Sequence, residues 1–160
     1  MKQMETIQKK IGESTFYLRP FPAFVAANIS GDLAAVISPV LGSLTTLAGT
    51  GDNVNIMNVE IDRAIPALSS AFNGLSGDAF ERLMKKLLVD HKNVSVEGEA
   101  TGGDVKQLTL DLANEVFCGE IQDMYILCWE VIKLNFGGFF KKLGAQSGNL
   151  QGIIQTATPR

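Results

Sequence analysis

The segment 121–136 constrains the fold more than any other. Met124, Tyr125, Leu127, Cys128, Trp129, Val131, Ile132 and Leu134 cover most of the circumference of a helix, leaving Glu130, Lys133 and the ends as its polar positions. A helix that is apolar nearly all round cannot lie on a surface. It must be surrounded by other elements or covered by a partner. The rest of the chain therefore has to supply walls for it. With 160 residues, 46% of them hydrophobic, and a net charge of −3, the chain has the composition of one globular domain.

The walls are readable in part. Met4–Ile11 and Ser14–Leu18 flank a Gly12-Glu13 turn, which predicts a β-hairpin. Pro20 and Pro22 close the second strand and permit a helix start. Phe21, Phe24, Val25 and Ile29 then share one helical face. Gly31–Leu47 reads as a helix pair or one kinked helix, opened by Asp32 and interrupted at Pro39. A further helix is expected within Glu60–Phe72. Phe80, Leu83, Met84, Leu87 and Leu88 fit the amphipathic template throughout, with Asp78 and Glu81 as a capping-box-like start. Val94 and Val96 alternate with polar residues, and Gly102-Gly103 offers a turn, which predicts a second short hairpin. Thr109 caps a short helix through Phe117 that stops at Gly119. The expected fold is thus α+β and mostly α-helical: an N-terminal β-hairpin and a second short hairpin packed with about five or six helices. A single domain is expected over 1–143, followed by a flexible polar C-terminal tail over 144–160.

Several function classes are disfavoured. Leu33–Gly51 is uncharged over 19 residues, but nine of these are Ser, Thr, Gly or Pro and both flanks are aspartates. A spanning helix needs a predominantly apolar run with basic or aromatic flanks. The N-terminus has no apolar core of the kind a signal peptide needs. Charge is uneven, −5 over 104–130 and +4 over 133–160, but the lysines of the latter suit a helix C-terminus and the acidic total opposes nucleic-acid binding. His91 is the only histidine, so neither a zinc site of usual spacing nor a Ser-His-Asp triad is expected. Gly49-x-Gly51 lacks the context of a phosphate loop. No cofactor is expected and an enzyme is the poorer class. Cys118 and Cys128 are too far apart on a helix to bridge.

Apolar surface remains. Trp129, Phe136, Phe139, Phe140, Phe21 and Phe24 are the candidate partner-binding residues, with core filling as the competing role, above all for Trp129. Phe139 and Phe140 are adjacent and cannot both face inward from one helix.

Phe16-Tyr17-Leu18-Arg19-Pro20-Phe21-Pro22-Ala23-Phe24 after a short hairpin, and Trp129-Glu130-Val131-Ile132-Lys133-Leu134-Asn135-Phe136-Gly137-Gly138-Phe139-Phe140 before a small polar tail, resemble the tail assembly chaperones of long-tailed, siphovirus-like bacteriophages. The resemblance covers about residues 14–48 and 121–143. It implies a protein of the infected bacterial cytoplasm that binds and solubilises the phage tape measure protein, helps recruit tail tube subunits, and self-associates. It also implies absence from the finished tail and, in many members, a longer form made by ribosomal frameshifting. A small structural or adaptor protein of the virion, in the tail or at the head–tail junction, is the alternative.

Overall fold

Strand β1 (Ile7–Ile11) turns into β2 (Ser14–Leu18) through Gly12-Glu13, whose first position has φ +59. Glycine adopts that angle without a Cβ penalty. A Cβ at Gly12 would also meet the Asp123 carboxylate, the far end of a side chain that can turn aside, so it is the backbone angle that calls for glycine here. Strand β2 pairs antiparallel with β3 (Val94–Glu97), and β3 with β4 (Lys106–Gln107), giving the order β1-β2-β3-β4. Phe16 lies opposite Val96 and Leu18 opposite Val94, so one face of the sheet is a buried apolar patch. On the other face the Tyr17 hydroxyl donates to Glu97 Oε2 at 2.7 Å.

A computed structural model of the chain describes residues 5–37, 66, 73 and 75–156, with the backbone course alone at 37 and over 139–156. Four α-helices occur among these residues: α1 (Ala23–Ile37), α2 (Gly77–Leu88), α3 (Leu110–Val116) and α4 (Ile121–Thr156). A single 3-10 turn (Glu99–Thr101) lies between β3 and β4.

This corrects the expected arrangement. The fold is α+β, but the two expected hairpins form one four-stranded antiparallel sheet, and the described residues hold four helices rather than five or six. Two of the expected helical segments run together as α1, because Gly31 does not stop the helix that contains it. Gly31 sits inside α1, where Ile29 and Leu33 on either side are 0% and 1% exposed. An interior glycine costs about 1 kcal/mol relative to alanine, less than two buried aliphatic side chains contribute. Gly137-Gly138 is likewise passed through, and the α4 backbone stays helical to Thr156. The helix expected within Glu60–Phe72, Pro66 apart, and the residues of 31–47 beyond Ile37 lie outside the described residues.

Helix α4 is the centre of the fold. Leu127, Cys128, Trp129, Val131 and Ile132 are all at most 1% exposed. The sheet and α2 form its surroundings, with Leu83, Met84, Leu87 and Leu88 of α2 buried. Phe16 of the sheet stacks on Phe117 at 5.7 Å. The caps are local. Ser76 accepts a hydrogen bond from Ala79 N at 3.2 Å and is the true N-cap of α2, in place of the expected Asp78–Glu81 start. Thr109 accepts from Leu112 N at 3.3 Å at the head of α3, as expected, and Gly119 with φ +78 follows its end. Among the described residues, no helix is long and apolar enough to cross a membrane.

Candidate functional site

The six aromatic candidates separate sharply. Trp129 is 1% exposed, Phe136 3% and Phe21 5%; all three lie in the core. Phe21 meets the Phe136 ring at 6.4 Å and the edge of His91 at 5.8 Å, and its backbone N–H donates to Asn135 Oδ1 at 2.7 Å. The Trp129 indole N–H has no hydrogen-bond partner among the described residues. Phe139 and Phe140 lie on α4 where the backbone alone is described. Phe24 stands apart at 93% exposure.

Phe24 belongs to an unusual surface. In its 15 residues α1 carries one charged side chain, Asp32. Ile29, Leu33 and Val36 face the core, while Phe24, Ala27, Asn28, Gly31, Asp32 and Ala35 are exposed. A lone exposed phenylalanine needs no explanation. An exposed helix face without the usual Lys, Glu and Arg does, because such a face gains nothing from solvation and is what partners cover.

Beside this face runs an open cleft between α1 and α2 of about 430 Å³. Ala35 and Val36 from α1, and Leu75, Ala79 and Leu83 from the α2 side, give it an apolar lining, while Asp32, Arg82 and Lys86 stand at its edge. Lys86 Nζ pairs with Asp32 Oδ2 at 2.7 Å and ties the helices together. Arg82 is exposed and makes no ion pair among the described residues. A second depression of about 290 Å³, lined by Ile7, Lys9, Leu18, Glu130, Lys133 and Leu134, is internally neutralised: Glu130 holds Lys133 at 2.9 Å and Lys9 at 3.4 Å.

Tyr17, Glu81 and Cys128 are engaged in structural contacts. Burial pushes the Cys128 thiol pKa far up, and its sulfur lies 3.3 Å from Met84 Sδ, so it is an inert core group. Cys118 is a free, exposed thiol. The hydrogen bond to Glu97 raises the Tyr17 pKa, and the Lys85 ammonium one turn on lowers that of Glu81. No cluster of three or more metal-ligating side chains occurs among the described residues. Among the described residues, the cleft offers apolar area with the Arg82 guanidinium, which makes no ion pair, at its edge, a chemistry of binding.

The sequence singled out Phe24, which lies exposed on α1, and the uncharged stretch Leu33–Gly51 that begins within α1, but not the cleft.

The family model described as phage tail assembly chaperone protein, TAC, matches residues 12–149. The chain belongs to this family. No curated protein and no solved structure matches it. The match spans strands β2 to β4, all four helices except the end of α4, and the α1–α2 surface together, with β1 just before it. A tail assembly chaperone works by binding rather than by catalysis, and its place is the building of phage tails, with tail proteins as partners.

Proposed function

We propose that this chaperone binds and solubilises the tape measure protein and helps recruit tail tube subunits, acting in the cytoplasm of the infected bacterial host. The observation that carries this reading is the unfinished outer face of α1, with Phe24 at 93% exposure on a helix with one charge. A long helical client rich in apolar residues needs apolar surface offered by a partner that is itself well folded, and helix-in-groove docking meets that need. Self-association fits the same task. Many weak sites held along one client raise its effective concentration for each of them. The region 139–156, helical in backbone and including Phe139 and Phe140, is a second candidate surface for the client or for other copies.

The test is co-expression with the tape measure protein of the same phage genome, followed by affinity purification and light scattering. The expected outcome is soluble tape measure protein in a complex with many chaperone copies. A client that stays insoluble beside a folded, solitary chaperone overturns the reading. Detection of the chain in purified particles would instead make it a virion component.

A further inference from the structure

We propose that the α1–α2 cleft, extended along α1 to Phe24, seats one helix of the client, an apolar helix that carries a carboxylate where it meets Arg82. This rests on the reading given above and adds the surface and the chemistry of what it holds.

Three observations converge. The first is continuity. Phe24 and Gly31 are seven residues apart and both exposed, so they share one side of α1 and are separated by about 10 Å along its axis. Ala27 lies between them and Ala35 beyond, so the exposed track runs straight into the cleft. The second is depth. A Cβ built on Gly31 meets nothing within 4 Å, and its small neighbours Ala27 and Ala35 let another backbone approach closely. The third is charge. Lys86 is neutralised by Asp32, whereas Arg82 at the same edge has no ion-pair partner among the described residues. An apolar docked helix would lower the local dielectric, so a carboxylate reaching Arg82 would make a charge-assisted, bidentate contact there.

The same charge argues against α1 or the end of α4 from a second copy as the occupant. Residues 139–156 of α4 contain Lys141 and Lys142 and no acid, which would bring like charge to Arg82. The single acid of α1 is the Asp32 already held by Lys86.

The experiment uses the full chain co-expressed with the tape measure protein. A photo-crosslinking p-benzoylphenylalanine replaces Ala35 in one sample. Gly31→Phe, which fills the track, and Arg82→Glu, which reverses the charge, are made separately. The assignment predicts a crosslink from position 35 to the tape measure protein. It also predicts a loss of roughly tenfold in soluble complex for each substitution, the scale of one hot-spot contact. The thermal melt of the free chaperone should be unchanged, since both positions are exposed. Wild-type-like solubilisation by both variants overturns the assignment while leaving the proposed function standing. A crosslink only within the same chain, to residues 38–74, or only to a second chaperone copy overturns it as well. If the wild-type chain itself leaves the tape measure protein insoluble, the functional reading fails and the assignment with it.

Discussion

Helices α1 and α2 lie side by side, joined by the Lys86–Asp32 pair, yet they are built on opposite plans. In α2 the apolar residues Leu83, Met84, Leu87 and Leu88 are buried, and Asp78, Glu81, Arg82, Lys85 and Lys86 occupy the rest of its surface. Asp78 stands in its first turn and Lys85 and Lys86 in its last, as the helix dipole favours. Arg82 apart, the charges of α2 follow the pattern of a solvated helix. Helix α1 has no acid in its first turn, no base in its last, and alanine, glycine and phenylalanine where α2 has charges. Among the described residues, α2 buries its apolar face and turns charges outward, whereas the outer face of α1 is exposed and carries one charge. Neighbouring helices of one domain can therefore differ in the make-up of their outer faces: that of α2 is charged, and that of α1 carries one charge.

The comparison breaks most easily in the core. Leu87 on α2 is 0% exposed, and Leu87→Ala should cost roughly 2–5 kcal/mol through lost burial and the cavity left behind. Calorimetry should show the melting temperature falling by about 10 °C. A change under 1 kcal/mol would mean that α2 is not anchored as described. Next in size is the cap. Ser76→Ala removes the side chain that accepts from Ala79 N and should cost about 1 kcal/mol in denaturant titrations. An unchanged midpoint would show that the first turn of α2 is held by packing alone.

The third test sets α1 against both. Phe24→Ser removes the most exposed aromatic of the described residues and should leave stability within about 0.5 kcal/mol of wild type, because little of the ring is buried in the free chain. The same substitution should weaken client solubilisation. A destabilisation comparable to that of Leu87→Ala would place Phe24 in the core and remove the contrast between the two helices.

Phe21 and Phe24 also show what could be read without a structure and what could not. Their spacing placed both on one helical face, but α1 begins at Ala23, so Phe21 precedes it and obeys no helical period. Its backbone is held by Asn135, 114 positions away, and no local pattern reports such a contact. The join between the hairpins was hidden for the same reason: β2 meets β3 through pairs such as Phe16–Val96, which sequence periodicity cannot signal. The amphipathic pattern of α2, the turn at Gly12, the cap at Thr109 and the central place of 121–136 were legible, because each depends on neighbours within a few residues or on the lack of any polar face. Gly31 misled because glycine weakens a helix only slightly when burial on either side of it is strong. The cleft went unread because it takes two helices to make one, and the chain between them gives no local sign that α1 and α2 will be neighbours.

The smallest expected effect lies on the sheet, away from both helices. Tyr17 donates to Glu97 Oε2, and this hydrogen bond, with some desolvation and the negative charge of Glu97, raises the phenol pKa above 10.0. The folded state thus holds the phenolic proton more tightly than the unfolded chain does. For a group whose folded pKa is raised, the stabilisation is complete below the unfolded value and is lost as pH climbs through the folded one. The wild-type chain should therefore lose a small increment of stability as pH rises above about 10. Tyr17→Phe should be slightly less stable near pH 7 and should lack that part of the alkaline slope. Denaturant midpoints for both proteins between pH 8 and 11 measure the difference directly. Parallel curves would show that the Tyr17–Glu97 bond is exchanged for water at no net cost, and that this face of the sheet, like the charged face of α2, is simply solvated.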